Sequence, residues 1–178
     1  NETYYVDHTK PVTSLVYGAP FVGSDGYAKW ITSNTDVALS ATDYFGFDHD
    51  SGVNFTKYRV TLMDGDGACE SAHSGCSEYS GNGSWTTVTE DVTFNIPETS
   101  CHLIEYYSVD MVEKTEVLNK DCVFVDNEAP EVVKNIDGNK ILMDENCTDD
   151  VCDYWITQDV QISLDCADVM PHPVGDVT

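Results

Sequence analysis

An all-β, antiparallel sandwich is the fold class this sequence predicts, on three observations. Apolar residues recur with period two, the runs are short and bounded by clusters of Gly, Asp, Asn and Ser, and no segment carries an amphipathic helical stripe. Along the chain, Tyr4, Tyr5 and Val6 open with strand-like residues. Val37, Leu39 and Ala41 then alternate with polar neighbours, as do Tyr58, Val60 and Leu62, and Val92, Phe94 and Ile96. "CHLIEYYSVD" (Cys101 to Asp110) and "DCVFVD" (Asp121 to Asp126) are rich in the aromatic and β-branched side chains that suit a pleated, half-buried surface. Between the runs lie "GSDG", "DHDSG", "DGDG" and "SGNGS", residues that accept the backbone angles of tight turns. About seven short strands in roughly 120 residues indicate a sandwich of the immunoglobulin type, with a small barrel as the main alternative.

The sequence repeats itself. "VDHTKPVT" (Val6 to Thr13) and "VDNEAPEV" (Val125 to Val132) share Val-Asp, three residues, Pro and an apolar run at an offset of 119. "WITSNTDVALSATD" (Trp30 to Asp43) matches "WITQDVQISLDCAD" (Trp155 to Asp168) at an offset of 125, the difference being taken up by "ENCTDDVC", Glu145 to Cys152. Two matched blocks in the same order with one insertion between them point to duplication. On this alignment residues 1–7 are the last strand of a preceding unit, or a linker or donor strand. Residues 8–126 form one complete unit, and 127–178 open a second, incomplete one. Half a sandwich cannot bury its face, so the open half is expected to be completed further along the polypeptide or by another chain. Proline fixes its own φ and extends its neighbour, which makes each Val-Asp-x-x-x-Pro phrase a stiff seam.

Composition sets the partners. The chain of 178 residues has 32 acidic against 8 basic side chains, a net charge of −24, with Arg59 its one arginine. So negative a surface repels phosphate backbones and anionic lipid, which argues against nucleic acid and membrane surfaces as partners, and it attracts cations. A saline habitat selects the same surface. No run of 18 apolar residues occurs. Seven cysteines and four Asn-x-Ser/Thr sequons, at Asn1, Asn54, Asn82 and Asn146, together indicate an extracellular glycoprotein. Cys101 and Cys122 flank the last hairpin and are expected to pair, closing a loop of about 20 residues worth roughly 3 kcal/mol. Cys69 with Cys76, and Cys147 with Cys152, bracket turn-rich insertions and are expected to staple them. His73 between Cys69 and Cys76 makes Cys-x3-His-x2-Cys, a zinc alternative for which a fourth ligand is not evident. Cys166, whose counterpart is Ala41, is left for a cysteine beyond Thr178 or on another chain.

"DSGVNFTKYRVT", "GSWTTVTEDVTFNIP", "HLIEYYSVDMVEKTEV" and "VFVDNEAP", in that order, resemble the immunoglobulin-like repeats of bacterial and archaeal surface proteins. The resemblance covers nearly all of residues 8–126. It departs at Glu113 and Lys114, where the family carries Gly-Asn. It implies tandem sandwich modules on secreted or cell-surface proteins and names no ligand.

Acidic residues gather where sandwich loops should converge. Asp43, Asp48 and Asp50 lie in "TDYFGFDHDSG" and Asp64 and Asp66 in "MDGDG", while Asp7, Asp110, Glu113 and Asp126 fall near expected unit junctions. Carboxylates in turns are calcium ligands, and Asp43, Asp48, Asp50 and Asp126 are the candidate set, although nothing matches an EF-hand. The bland alternative is that Asp and Gly make turns and solvate the surface. There is no Gly-x-Ser-x-Gly, no His-Glu-x-x-His and no phosphate-cradling loop, and the five histidines are scattered, so no enzyme is expected. The ten tyrosines and three tryptophans are assigned to the core ahead of a sugar-binding platform. The functional expectation is a structural module of an extracellular filament, stalk or S-layer-like protein, whose partners are copies of itself, neighbouring repeats and attached glycans. An adhesin or glycan-binding module is the alternative.

Overall fold

The computed structural model describes residues 1–23, 28–44, 50–63, 76, 78–143 and 154–167. Among these every regular element is a strand, and the sheets pair in antiparallel and, at one place, parallel fashion. Asn1–Asn127 forms one compact unit and Glu128–Val169 a second.

In the first unit two sheets are built around one strand. β1 (Val12–Tyr17), β4 (Val37–Thr42) and β7 (Val92–Phe94) form a three-stranded sheet in the order β1-β4-β7. The larger sheet runs β2-β3-β9-β8-β5-β6, from β2 (Phe21–Val22), β3 (Trp30–Ile31), β5 (Val53–Leu62), β6 (Thr86–Val88), β8 (Ser100–Asp110) and β9 (Asn119–Val125). The period-two residues do what their spacing requires. Val37, Ile96, Ile104, Val123, Val125 and Ile31 are buried together, with Leu15, Tyr17, Val60, Phe94 and Tyr106 packed around them. The ring of Tyr58 stacks on that of Phe94 at 4.6 Å, joining the two sheets.

β3 lies parallel to β9, with Trp30 opposite Phe124 and Ile31 opposite Val125, where sequence pattern led to an all-antiparallel arrangement. After β1 the chain crosses to the edge of the large sheet before returning for β4. On that excursion β3 runs in the direction of β9, and the chain from Thr32 to Leu118 supplies the long connection that a parallel pair needs between its members. Residues 1–7, expected as a strand or a linker, form no strand: no neighbouring strand pairs with them, and Tyr4, Tyr5 and Val6 are exposed.

The outer face of the large sheet is buried as well. Cys101 and Leu103 of β8 and Cys122 and Phe124 of β9 pack with Met63 and Cys76, and Ala28, Trp30 and Tyr79 border them. Trp30 stacks on Phe124 with ring centres 4.4 Å apart, in keeping with its reading as a core residue. Cys122 is joined to Cys76, not to Cys101. The register explains the difference. Cys101 stands opposite Phe124 and Leu103 opposite Cys122, so Cys101 and Cys122 are diagonal neighbours. Diagonal positions lie about 7–8 Å apart, beyond the span a disulfide bridges, whereas Cys76 and Cys122 have Cα atoms 5.9 Å apart. The bond also removes the expected Cys69–Cys76 pair and the zinc alternative, since Cys76 has no free thiolate. Cys101 is itself disulfide-bonded. Cys69, Cys147 and Cys152 lie outside the described residues, and Cys166 is a free, exposed thiol.

A charged group is buried on the same outer face. Glu105, fully buried on β8, accepts hydrogen bonds at Oε2 from Arg59 Nε at 2.6 Å and Gly81 N at 2.9 Å, and Lys120 Nζ stands 3.9 Å from its Oε1. Arg59 in turn lies 4.5 Å over the ring of Trp85. A buried carboxylate is tolerated only with such partners, which gives the one arginine of the chain its place.

The second unit has two antiparallel pairs, β10 (Glu131–Asp137) with β13 (Gln161–Ala167) and β11 (Lys140–Leu142) with β12 (Tyr154–Ile156). Its apolar side chains Val132, Val133, Ile141, Trp155, Ile162 and Leu164 are exposed.

The Cys76–Cys122 bond spans 46 residues of sequence. Replacing both cysteines by serine is expected to lower stability by about 4 kcal/mol in chemical denaturation, from the lost constraint on the unfolded chain. A non-reducing peptide map should recover the Cys76 and Cys122 peptides linked.

Candidate functional site

The acidic residues scattered through the sequence meet at one end of the first unit. Three elements supply them. Asp110 is the last residue of β8, Asp43 directly follows β4, and Asp7 comes from the irregular arm before β1. One carboxylate oxygen from each of the three lies within 4.8 Å of the others. Asp43 and Asp110 are buried and Asp7 is nearly so at its side chain. Asp50 stands beside them, linked through the Thr9 hydroxyl, which donates toward the carboxylates of Asp7 (2.9 Å), Asp50 (3.3 Å) and Asp43 (3.5 Å).

Local structure holds each group in place. Asp7 Oδ1 accepts from Thr9 N at 2.9 Å, an Asx-type turn that folds the arm on itself, and Asp7 Oδ2 accepts from Ser51 N at 3.0 Å. Asp43 Oδ2 accepts from Gly52 N at 3.0 Å. Asp110 Oδ1 accepts from Val112 N at 2.9 Å and Lys114 N at 2.7 Å, so the carboxylate organises the turn that ends β8. In that turn Glu113 adopts φ of +69°, the left-handed region, at the position where the resembled repeats carry Gly-Asn. A side chain there costs about 1–2 kcal/mol, and the Asp110 hydrogen bonds help hold it. Lys114 donates to the Asp7 main-chain oxygen, and its Nζ lies 3.4 Å from Asp7 Oδ1.

Crowding of like charges splits the site. Hydrogen bonds from Ser51, and then from the N–H of Thr9, hold Asp7 well below the usual carboxylate range. Burial first, and then the charge of Asp7, push Asp43 upward against the opposing N–H of Gly52. The two therefore act oppositely on stability. Asp7, lowered in the folded state, stabilises above the ordinary value of 3.8 and loses this as pH falls. Asp43, raised in the folded state, opposes folding when ionised, and that opposition fades as pH falls through its raised value.

Of the four calcium candidates named from sequence, Asp43 and Asp50 are in this cluster and Asp48 lies outside the described residues. Asp126 is elsewhere: it follows β9 at the opposite end of the sheet, where its N–H donates to Ile31 O at 2.8 Å. Asp7 and Asp110 replace it. They were visible only as residues near expected junctions, because sequence does not show that β8 is long enough to end beside β4. Of the sequons, Asn1 and Asn82 are exposed, Asn54 is half-buried on β5, and Asn146 lies outside the described residues. Among the described residues, no helix is long and apolar enough to cross a membrane.

Comparison with protein-family models, with curated proteins and with solved structures finds no match to this chain.

In metal-free buffer Asp43→Asn is expected to be more stable than the parent at pH 7, and its advantage to shrink as pH falls through the raised Asp43 value. Urea denaturation of both proteins across pH 4 to 8 measures this; a difference that does not change with pH would contradict it.

Proposed function

We propose that this chain is a structural module of an extracellular filament, stalk or S-layer-like surface protein, built from tandem immunoglobulin-like sandwiches. One observation carries the reading: the strand pairs of the second unit repeat those of the first in register. β1 pairs with β4 as Val12 with Thr42, and β10 pairs with β13 as Glu131 with Ala167. β2 pairs with β3 as Phe21 with Ile31, and β11 pairs with β12 as Lys140 with Ile156. In each case the first partners differ by 119 positions and the second by 125, the offsets of the sequence repeat. Even the turn before β4 recurs before β13, as Thr35 N to Thr32 O in one unit and Val160 N to Thr157 O in the other.

The immunoglobulin type is supported by strand order, β1-β4-β7 against β2-β3-β9-β8-β5-β6, which follows the A-B-E and G-F-C-C′ arrangement with two added strands beside G. An oxidising, extracellular setting is supported by the Cys76–Cys122 disulfide and the exposed sequons at Asn1 and Asn82.

The same registers say what the second unit needs. Val37 and Leu39, 0% and 2% exposed, correspond to Ile162 and Leu164, 53% and 64% exposed. In the first unit these positions are covered by the sheet that β5, β8 and β9 build. Among the described residues the second unit has no equivalent of those strands. On this reading strands of that kind complete it, from the same polypeptide or from a neighbouring copy, and the completed units transmit load along a chain of rigid beads.

A second reading, an adhesin, is favoured by one feature. A groove of about 570 Å³ is lined by Asn54, Phe55, Trp85, Tyr107 and Glu116, and Trp85 meets Tyr107 edge-on at 5.3 Å.

In the dispersed chain Leu39→Ala is expected to cost about 2–5 kcal/mol and Leu164→Ala no more than about 0.5 kcal/mol. Electron microscopy of the purified protein should show fibres or ordered arrays that Leu164→Ala weakens. Strictly dispersed monomers that bind soluble oligosaccharide would overturn the filament in favour of the adhesin.

A further inference from the structure

We infer that Asp7, Asp43 and Asp110, with Asp50 beside them, hold one divalent cation, and that its chemistry is that of calcium. The inference goes beyond the filament reading and stands on the first unit alone.

An acidic cluster on a protein surface is ordinary; this one has a buried oxygen with nothing to bind. Asp110 is fully buried, and while its Oδ1 takes two backbone N–H groups, its Oδ2 has no hydrogen-bond partner. Asp110 also contributes an oxygen to the group that lies within 4.8 Å of oxygens of Asp7 and Asp43. A buried carboxylate oxygen left bare carries a full desolvation penalty, and native proteins rarely leave one so without an unseen ion or water. Lys114 does not answer it. Its ammonium is spent on Asp7, at the main-chain oxygen and at Oδ1.

The donor set names the ion. Every candidate ligand is a hard oxygen, with no thiolate or imidazole among those described, which disfavours zinc and copper. Oxygens sharing a calcium ion at about 2.3–2.6 Å are themselves about 3–5 Å apart, the spacing found here. Magnesium asks for a near-ideal octahedron, which carboxylates drawn from an arm, a loop and two strand ends do not readily supply. The backbone around the site is already ordered, by Thr9 and Ser51 on Asp7 and Gly52 on Asp43, so binding does not have to fold it.

A cation here ties the arm that carries the Val-Asp-x-x-x-Pro phrase to the ends of β4 and β8 and to the loop before β5. It adds one more tie to a strandless segment that a few hydrogen bonds already hold at the sandwich end.

The test is calorimetric titration of the chelator-treated 178-residue chain with calcium chloride, paired with thermal melts. One site per chain with a Kd in the range of about 10⁻⁴–10⁻³ M is expected, as for extracellular modules. At 10 mM calcium the melting temperature should rise by about 5 °C, beyond the rise in magnesium chloride at equal ionic strength. Asp110→Asn keeps an amide oxygen for Val112 and Lys114 and should weaken calcium about tenfold or more. Asp43→Asn does the same from a different strand and serves if Asp110→Asn does not fold. Absence of binding heat, equal shifts with calcium and magnesium, or unchanged affinity in the folded variants would each overturn the site.

Discussion

The first unit depends on β8 being buried on both faces. A strand in an ordinary two-layer sandwich covers a core with one face and meets water with the other. Here Ile104 faces the interior between the sheets, while Cys101 and Leu103 lie beneath Met63, Cys76 and Tyr79 on the far side. Alternation therefore gives way to a nearly continuous buried run from Ser100 to Asp110. The neighbours of β8 are fixed by the same demand: β5 and β9 must flank it, and the segment bearing Cys76 must fold over it and be fastened to β9.

Burying both faces forces decisions about polar groups. Glu105 is acceptable inside because Arg59, Gly81 and Lys120 converge on it. Ser108 is acceptable because its hydroxyl bridges those of Thr13 at 2.6 Å and Thr56 at 2.7 Å, a hydrogen-bonded link between the two sheets. Glu116 extends this network, accepting from Thr13 N, Thr13 Oγ1 and Ser108 N. Asp110, at the end of the run, differs: the turn answers one of its oxygens and the other has no hydrogen-bond partner, and where the unbonded Oε1 of Glu105 has Lys120 at 3.9 Å, the carboxylate of Asp110 stands beside those of Asp7 and Asp43. The site is thus a consequence of the strand: the length and burial of β8 deliver a carboxylate to the place where the N-terminal arm and the end of β4 bring theirs.

Much of this was legible in the residues, and what was not has a physical cause. Period two at Val37/Leu39 and Val92/Phe94/Ile96 marked core faces correctly, because a side chain's face within a strand is set by local geometry alone. Trp30 was assigned to the core because it recurs as Trp155; it packs against Phe124, while Trp155 is exposed. Strand pairing was not legible, since it is decided by contacts distant in sequence: β3 beside β9, and Cys122 joined to a residue 46 positions away and not to its hairpin neighbour. The acidic cluster fell between the two cases. Asp43 and Asp50 lie close in sequence and could be grouped, but placing Asp7 and Asp110 with them, and Asp126 at the far end, required the strand order. Glu113 in a left-handed turn was hidden because a charged side chain masks a conformation usually betrayed by Gly or Asn.

The central claim is that the first unit is a closed sandwich clamped around β8, and that the second unit carries the same opening strands and, among the described residues, none of the strands that cover them. Amide hydrogen exchange on the 178-residue chain, read residue by residue, tests it most directly. The account predicts the slowest exchange in β5, β8 and β9, near the limit set by global unfolding, and exchange in β10 to β13 faster by orders of magnitude, because little apolar surface is buried there. Protection of β10–β13 equal to that of β8 in the dispersed chain would contradict it.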